Sequence, residues 1–326
     1  MVMELKRAQR KSAKLKLGIS SPSGGGKTLG SLLIAYGLMK ESHPKLSDEE
    51  IWAKIAIIDS ENGSGELYVG AEVKNLVIGE YAAITLTSPF TAEKYVQAME
   101  VCEENNMEVA IIDSTTHLWS GTGGLLEQQG NITKRTGNSW SAWRDITPMH
   151  NKFIEKMLQC NMHVIATMRS KTKFVQEKGS DGRTIVRKIG LNPIQKDGME
   201  FEFTTFFEID AEHNAFGSKD RTNTFDQEYF VITPDTGKKL MKWLKGGTSK
   251  KTKVIGVAKA DPKEALADMQ GDVVALCQEL GGSKNEDLMT VLKKYEKNGN
   301  PNKIKDIKKL KELQTKLNDM KEAKNA

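Results

Sequence analysis

The chain has 326 residues, of which 38% are hydrophobic and 28% charged, with a formal net charge of +5. That length holds one large α/β domain and a smaller appendage, and the apolar share supports a true core. No run of 18 apolar residues occurs, which excludes a membrane-spanning helix, and Cys102, Cys160 and Cys277 are too scattered for a disulfide framework or a metal site. The start, Met1-Val2-Met3-Glu4-Leu5-Lys6-Arg7, is basic but has no apolar export segment, so a reducing, cytoplasmic location is expected. The mild positive charge permits nucleic-acid binding without demonstrating it.

The first predicted strand, Leu15-Lys16-Leu17-Gly18-Ile19-Ser20, runs into Ser21-Pro22-Ser23-Gly24-Gly25-Gly26-Lys27-Thr28 and then a helical run over 29–36. Strand, Gly-rich loop and helix in that order are what a phosphate-binding P-loop requires. Ser23, Gly24, Gly25 and Gly26 form a nest of inward backbone N–H groups at the positive end of a helix. Lys27 is placed to reach the β- and γ-phosphates and the Thr28 hydroxyl to ligate a cation, so ATP and Mg²⁺ are expected. The first Gly of GxxxxGK[ST] is replaced by Ser21, which is small and suits a turn.

A polar stretch over 41–50 precedes the strand Ile55–Asp59, and a short strand is expected at 83–86. Ser88-Pro89-Phe90-Thr91 reads as a helix start, with Tyr95, Met99 and Cys102 on a buried stripe. The strand Val109–Asp113 follows, then a long polar loop from Ser120 to about Ser139. Trp143, Ile146, Met149, Phe153, Met157 and Cys160 recur at three and four, predicting a helix with Trp143 in the core. A buried strand over 163–168 closes the pattern. Strand and helix alternate, which predicts a mostly parallel sheet covered on both faces. The stretch 171–198 is charged and glycine-containing. Strands resume at 201–209, and those at 216–219 and 229–232 read as an antiparallel extension. The expected division is a core over 1–247, a linker over 248–261 and a helical region over 262–326. That region carries helices at 262–280 and 285–297, then a Lys-rich amphipathic helix at 304–321 with Ile307, Leu310, Leu313 and Leu317 on one face, suited to packing or a partner.

Asp113 ends a strand of four apolar residues, the Walker B arrangement, and is a second Mg²⁺ ligand. Ser114 follows it rather than Glu, so the carboxylate for hydrolysis must come from elsewhere. Glu61, two residues beyond the strand Ile55–Asp59, is the candidate to orient the attacking water. His117 and Trp119 follow Walker B, but with no Ser or Cys partner a catalytic histidine is not expected.

Ile57-Ile58-Asp59-Ser60-Glu61 and Ile111-Ile112-Asp113-Ser114 resemble the water-activating and Walker B segments of RecA-class ATPases. Met168-Arg169-Ser170-Lys171-Thr172, Gly190-Leu191-Asn192-Pro193-Ile194-Gln195-Lys196-Asp197-Gly198-Met199-Glu200 and Ser218-Lys219-Asp220-Arg221-Thr222 resemble phage-encoded RecA-like ATPases of the Sak recombination group. The resemblance covers about 12–247. It implies a RecA-like P-loop NTPase core, ATP hydrolysis, single-stranded DNA binding and a homo-oligomer, ring or filament, in the host cytoplasm. By the same resemblance Thr167 or Met168 takes the γ-phosphate sensor position, where only Thr167 can hydrogen-bond.

Lys219 and Arg221 can project from one side of an extended segment. The resemblance makes them the cations that reach a neighbouring subunit's γ-phosphate, with Lys196 and Arg169 as alternatives, and a solvated hairpin as the plain reading. DNA contact is expected in two long loops. The first carries Lys134, Arg135 and Trp140; the second Lys171, Lys173, Phe174, Lys178, Arg183, Arg187 and Lys188. Trp140 and Phe174 suit base stacking or ordinary packing equally. The expected function is a DNA-dependent ATPase of phage recombination, annealing or repair, with an annealing or single-strand-binding protein as a partner of the C-terminal helices. A replicative helicase or helicase loader, and a nucleotide-gated assembly protein with little turnover, stand as alternatives.

Overall fold

The computed structural model describes residues 4–6, 13–178, 184–246, 254–257 and 262–325, and only the backbone of 4–6, 172–178, 184–190, 254–257, 262–265 and 323–325. Two compact units are present, Arg10–Ser249 and the combination of Met1–Gln9 with Lys250–Ala326. In chain order the elements are β1 (Glu4–Lys6), β2 (Lys16–Ser21), α1 (Lys27–Ser42), α2 (Asp48–Trp52), β3 (Ile55–Asp59), β4 (Glu72–Val73), β5 (Leu76–Val77), β6 (Ala82–Thr85), α3 (Ala92–Glu104), β7 (Val109–Asp113), α4 (Thr115–Ser120) and α5 (Leu125–Thr136). They continue with α6 (Ser139–Gln159), β8 (His163–Lys178), β9 (Thr184–Pro193), β10 (Thr205–Ile209), β11 (Ala215–Asp220), β12 (Tyr229–Phe230), α7 (Pro234–Lys245), β13 (Val254–Val257), α8 (Pro262–Glu279), α9 (Glu286–Tyr295) and α10 (Ile307–Asn325).

The main sheet has the order β12-β11-β10-β2-β8-β7-β3-β6. From β10 to β6 every pairing is parallel, and β11 and β12 add an antiparallel margin. One strand, β8, separates β2, which runs into the glycine-rich turn, from β7, which ends in Asp113. The unit is an α/β core built on a mostly parallel sheet. The strands Ile-Ala-Ile-Ile-Asp and Val-Ala-Ile-Ile-Asp are buried throughout because helices cover both faces. Successive side chains point to opposite sides. Ile55, Ile57, Val109 and Ile111 pack with Leu32 and Leu38 of α1 and Leu240 of α7. Ala56, Ile58, Ala110 and Ile112 pack with Tyr95 and Met99 of α3 and Phe153 and Met157 of α6. Helices α1 and α7 approach closely at Gly37, where a Cβ would fall 1.8 Å from the Pro234 carbonyl oxygen.

Several local expectations change. The segment 120–139 is mostly helix: α5 begins after Gly124, buries Leu125, and ends at Gly137, which takes the left-handed conformation and donates to the Thr133 carbonyl at 2.8 Å. Its good helix formers, Gln, Glu, Lys and Arg, outweigh the glycines that suggested a loop. The stretch after Lys171 is a hairpin, with β8 and β9 paired from Ser170↔Pro193 to Lys178↔Thr184; its ladder of backbone bonds does not depend on the apolar alternation that the sequence lacks. Where a strand is expected from 201, the backbone makes a short 3₁₀ turn, Met199–Glu202, and the strand starts at Thr205. α2 occupies the end of the polar stretch, secured by a capping box from Ser47 and Glu50. α7 adds a helix beyond the expected strands, started by Thr233, Pro234 and Thr236. Trp143 is only half-buried.

In the second unit β1 pairs antiparallel with β13. Helices α8 to α10 gather around Val273, Leu280, Leu288, Leu292, Leu310, Leu313 and Leu317, so the apolar face of the Lys-rich helix is a packing face. Most of the expected linker lies outside the described residues. Among those residues no helix is long and apolar enough to cross a membrane.

His163 is buried at the start of β8, its Nδ1 accepting the Leu15 N–H at 3.0 Å, and burial holds its pKa down at about 3. A histidine that stays neutral in the fold but titrates near 6.5 when unfolded makes unfolding take up a proton. Stability from this group is full above pH 6.5 and declines as pH falls towards 3, by up to ~1.4 kcal/mol per pH unit. Thermal melts between pH 7 and 4.5 are expected to show this decline, with a shallower slope in His163→Gln.

Candidate functional site

Strand β2 ends at Ser21 and the backbone turns over 22–26 into α1. Gly24 and Gly26 have φ of 79° and 90°, in the left-handed region that only glycine enters without strain. Gly26 occupies the N-cap of α1 with no side-chain cap, and the first turn has no acidic residue. The unpaired N–H groups and positive helix end therefore suit an external anion. Lys27 and Thr28 are buried beside this turn, while Ser23 is exposed. A cavity of about 180 Å³ adjoins the loop, bounded by Gly25, Gly26, Leu29, Leu33, Ile209 and His213 among others. Its apolar walls next to a phosphate cradle give a nucleotide's base and sugar a place to pack.

Asp113, at the end of β7, is fully buried. Its Oδ2 accepts the Thr28 hydroxyl at 2.5 Å and its Oδ1 accepts the Thr167 hydroxyl at 2.5 Å. Burial pushes its pKa up, against the opposing effect of both hydroxyls and the nearby Lys27 charge. A buried carboxylate hydrogen-bonded by these neutral hydroxyls has capacity left for a cation, so Thr28 and Asp113 fit a Mg²⁺ site. Thr167, expected to sense the γ-phosphate, has its hydroxyl on Asp113. Among the described residues no group of three or more His, Cys, Asp and Glu forms a closed metal site, and P-loop sites need none because phosphates and water complete the shell.

Glu61 follows β3, whose Asp59 is in register with Asp113. Its Oε1 accepts the Ser114 hydroxyl at 2.8 Å and the Arg169 Nε–H at 2.9 Å, while Oε2 accepts from Arg169 Nη2. Burial alone would raise the Glu61 pKa, but hydrogen bonds from Arg169 and Ser114, with the charges of Arg169 and Lys27, bring the net shift below the usual carboxylate range. Arg169 is correspondingly held charged by Glu61. As a candidate for reaching a neighbour, Arg169 is thus placed on its own chain's carboxylate. Behind it, the Ser60 hydroxyl bonds the Ser114 carbonyl at 3.0 Å and pairs with His117 Nδ1 at 2.9 Å, and His117 stacks on Phe90. His117 is a supporting group for the turn after Walker B.

Lys219 and Arg221 lie at the end of β11, on the side of β2 away from β7. Lys219 donates to the Glu200 and Phe201 carbonyls, and Arg221 is exposed. Lys134 and Arg135 are exposed in the last turn of α5, and Trp140 is 87% exposed in the first turn of α6. Lys171, Lys173, Phe174 and Lys178 fall in β8, and Arg187 and Lys188 opposite Val175 and Phe174 in β9. Arg183 lies outside the described residues. Sequence reasoning missed the Ser114 hydroxyl and the pairing of Arg169 with Glu61. Their signal is spatial: β3, β7 and β8 are neighbours, so residues 61, 114 and 169 meet although no spacing links them.

The AAA_24 family model, described as an AAA domain, matches residues 13–229. Among solved structures, a KaiC-like protein from the hyperthermophilic archaeon Pyrococcus horikoshii OT3 is similar over 71% of this chain and 97% of its own, at 15% identity and a TM-score of 0.36. No curated protein matches.

Proposed function

The chain belongs to the AAA domain family AAA_24, and from that premise we propose that it is a Mg²⁺-dependent ATP hydrolase coupled to single-stranded DNA. Its setting would be phage homologous recombination, strand annealing or repair. The observation that carries the hydrolase reading is the meeting of Lys27, Thr28, Asp113 and Glu61 at the carboxyl ends of adjacent strands, where α/β sheets bind ligands. The DNA reading is supported by the basic residues of α5 and the β8–β9 hairpin, and by Arg169, which stands between that hairpin and Glu61.

The loop over 23–28 would cradle the phosphates of ATP, with Lys27 balancing negative charge on the transferred group. Thr28 and Asp113 would hold Mg²⁺, which when bound neutralises phosphate oxygens and orients them. Thr167 fixes the Asp113 carboxylate and Ser114 fixes that of Glu61. Glu61, once released by Arg169, orients water towards the γ-phosphorus and accepts its proton as the bond to the ADP oxygen breaks. In a homo-oligomer, ring or filament, Arg221 with Lys219 behind it would approach the phosphates of the neighbouring copy. Helices α8 to α10 would dock an annealing or single-strand-binding protein.

One observation favours a second reading. Both oxygens of Glu61 are engaged by Arg169 and Ser114, which suits a nucleotide-gated assembly protein with slow turnover. Steady-state phosphate release, measured with single strands, with duplex and without DNA, separates the two. Strong stimulation by single strands alone is expected. Unchanged turnover removes DNA coupling and leaves the assembly reading.

A further inference from the structure

Helices α4 and α6 and the base of the β8–β9 hairpin enclose a cleft of about 550 Å³, away from the phosphate loop, that the nucleotide chemistry does not use. Trp119 and Trp143 line it, their rings stacked with centroids 5.9 Å apart and planes at 25°. His150 stands edge-on behind Trp119. Lys171 and Lys196, with Asn192, Gln195 and the single acid Asp197, also line the cleft. Trp143 and Thr147 also border a second cleft of about 740 Å³, which takes in Trp140 and Arg144. Residues 140, 143, 144 and 147 share one helix face, so three indoles and three cations follow one another along a continuous surface.

We infer that this paired cleft is a nucleobase-stacking subsite for single-stranded nucleic acid, with bases against Trp119, Trp143 and Trp140 and phosphates near Lys171, Lys196 and Arg144. The inference rests on the DNA-coupled reading above and goes beyond it in placing the strand. The charge balance, three cations to one acid, fits a polyanion rather than an apolar peptide. Flat aromatic faces beside cations are the common means of holding unpaired bases without reading their sequence.

The cleft wall is joined to the hydrolytic site. Ser170 and Lys171 pair with Pro193 and Asn192, the Ile194 N–H donates to the Arg169 carbonyl at 2.7 Å, and Gln195 Nε2 donates to the Thr115 carbonyl at 3.0 Å. A strand that shifts this wall would shift the backbone that aims the Arg169 guanidinium at Glu61.

The test compares fluorescein-labelled oligo(dT) with an abasic strand of equal phosphate number, by anisotropy across a salt series. The intact protein is expected to bind oligo(dT) about 5- to 100-fold more tightly than the abasic strand. Trp143→Ala and Trp119→Leu should erase most of that difference. Lys171→Ala/Lys196→Ala, which alters no core residue, should weaken both strands and lower the slope of log affinity against log salt by about 1.4. Equal binding of both strands by the intact protein overturns the inference and leaves DNA coupling standing. So does oligo(dT) affinity unaltered in all three variants, including the case where they change the oligomeric state, which would make the cleft a contact between copies. No binding of oligo(dT) by the intact protein overturns the inference and the DNA reading together.

Discussion

Glu61→Gln is expected to lower ATP turnover about 10²- to 10⁴-fold while nucleotide binding survives. The amide keeps the shape of the side chain and can still accept from Ser114, but it cannot take a proton from water. Arg169→Ala gives the informative contrast. With the guanidinium gone, the Glu61 carboxylate loses two hydrogen bonds and a neighbouring charge. DNA-independent turnover should rise, and stimulation by DNA should shrink. The sign of the pH effect follows from the same contacts. Arg169 and Ser114 hold the Glu61 pKa below its ordinary value, so removing Arg169 raises it, and the acid limb of kcat against pH moves to higher pH. Phosphate-release rates over pH 4.5 to 8 read both effects. Full activity in Glu61→Gln would sink its assignment as the base, and an Arg169→Ala enzyme with depressed turnover and an unmoved acid limb would sink the release mechanism.

Lys27→Ala is expected to abolish measurable turnover, a loss of at least ~10²-fold, and to weaken nucleotide binding. Lys27 is buried at the start of α1, where the first turn offers no other charge and Asp113 lies in reach of its field. Alanine removes the cation that balances the phosphates and leaves the Asp113 and Glu61 carboxylates less compensated. Titration with a fluorescent ATP analogue, with and without Mg²⁺, checks this beside the turnover assay. Asp113→Asn should keep binding in the absence of Mg²⁺ and lose the Mg²⁺-dependent gain, because the amide is a poor ligand for a hard cation. Tight, Mg²⁺-responsive binding in Lys27→Ala would count against the loop as the phosphate site.

The sequence by itself determined the glycine-rich turn before a helix, the aspartate ending a buried strand and the parallel core. Each is a local pattern: three glycines before Lys27-Thr28, and runs such as Ile55–Asp59 and Val109–Asp113 that are apolar at every position because both faces of the sheet are covered. It also marked Glu61 from its place after a strand end. The tertiary structure alone decided what Glu61 touches. Ser114 and Arg169 come from strands far apart in the chain, and only the order β8-β7-β3 brings their side chains to one carboxylate. It likewise set the Thr167 hydroxyl on the Asp113 carboxylate, since the side-chain direction of a strand residue follows from register rather than from residue type. The helix α5 and the β8–β9 hairpin stayed hidden for a related reason. Their polar sequences carry little periodic apolar signal, and capping by Gly137 and cross-strand backbone bonds hold them in place. The stacked Trp119 and Trp143 arise from two helices set by packing on the sheet. A linear reading counts the indoles, and only the packed helices put them face to face.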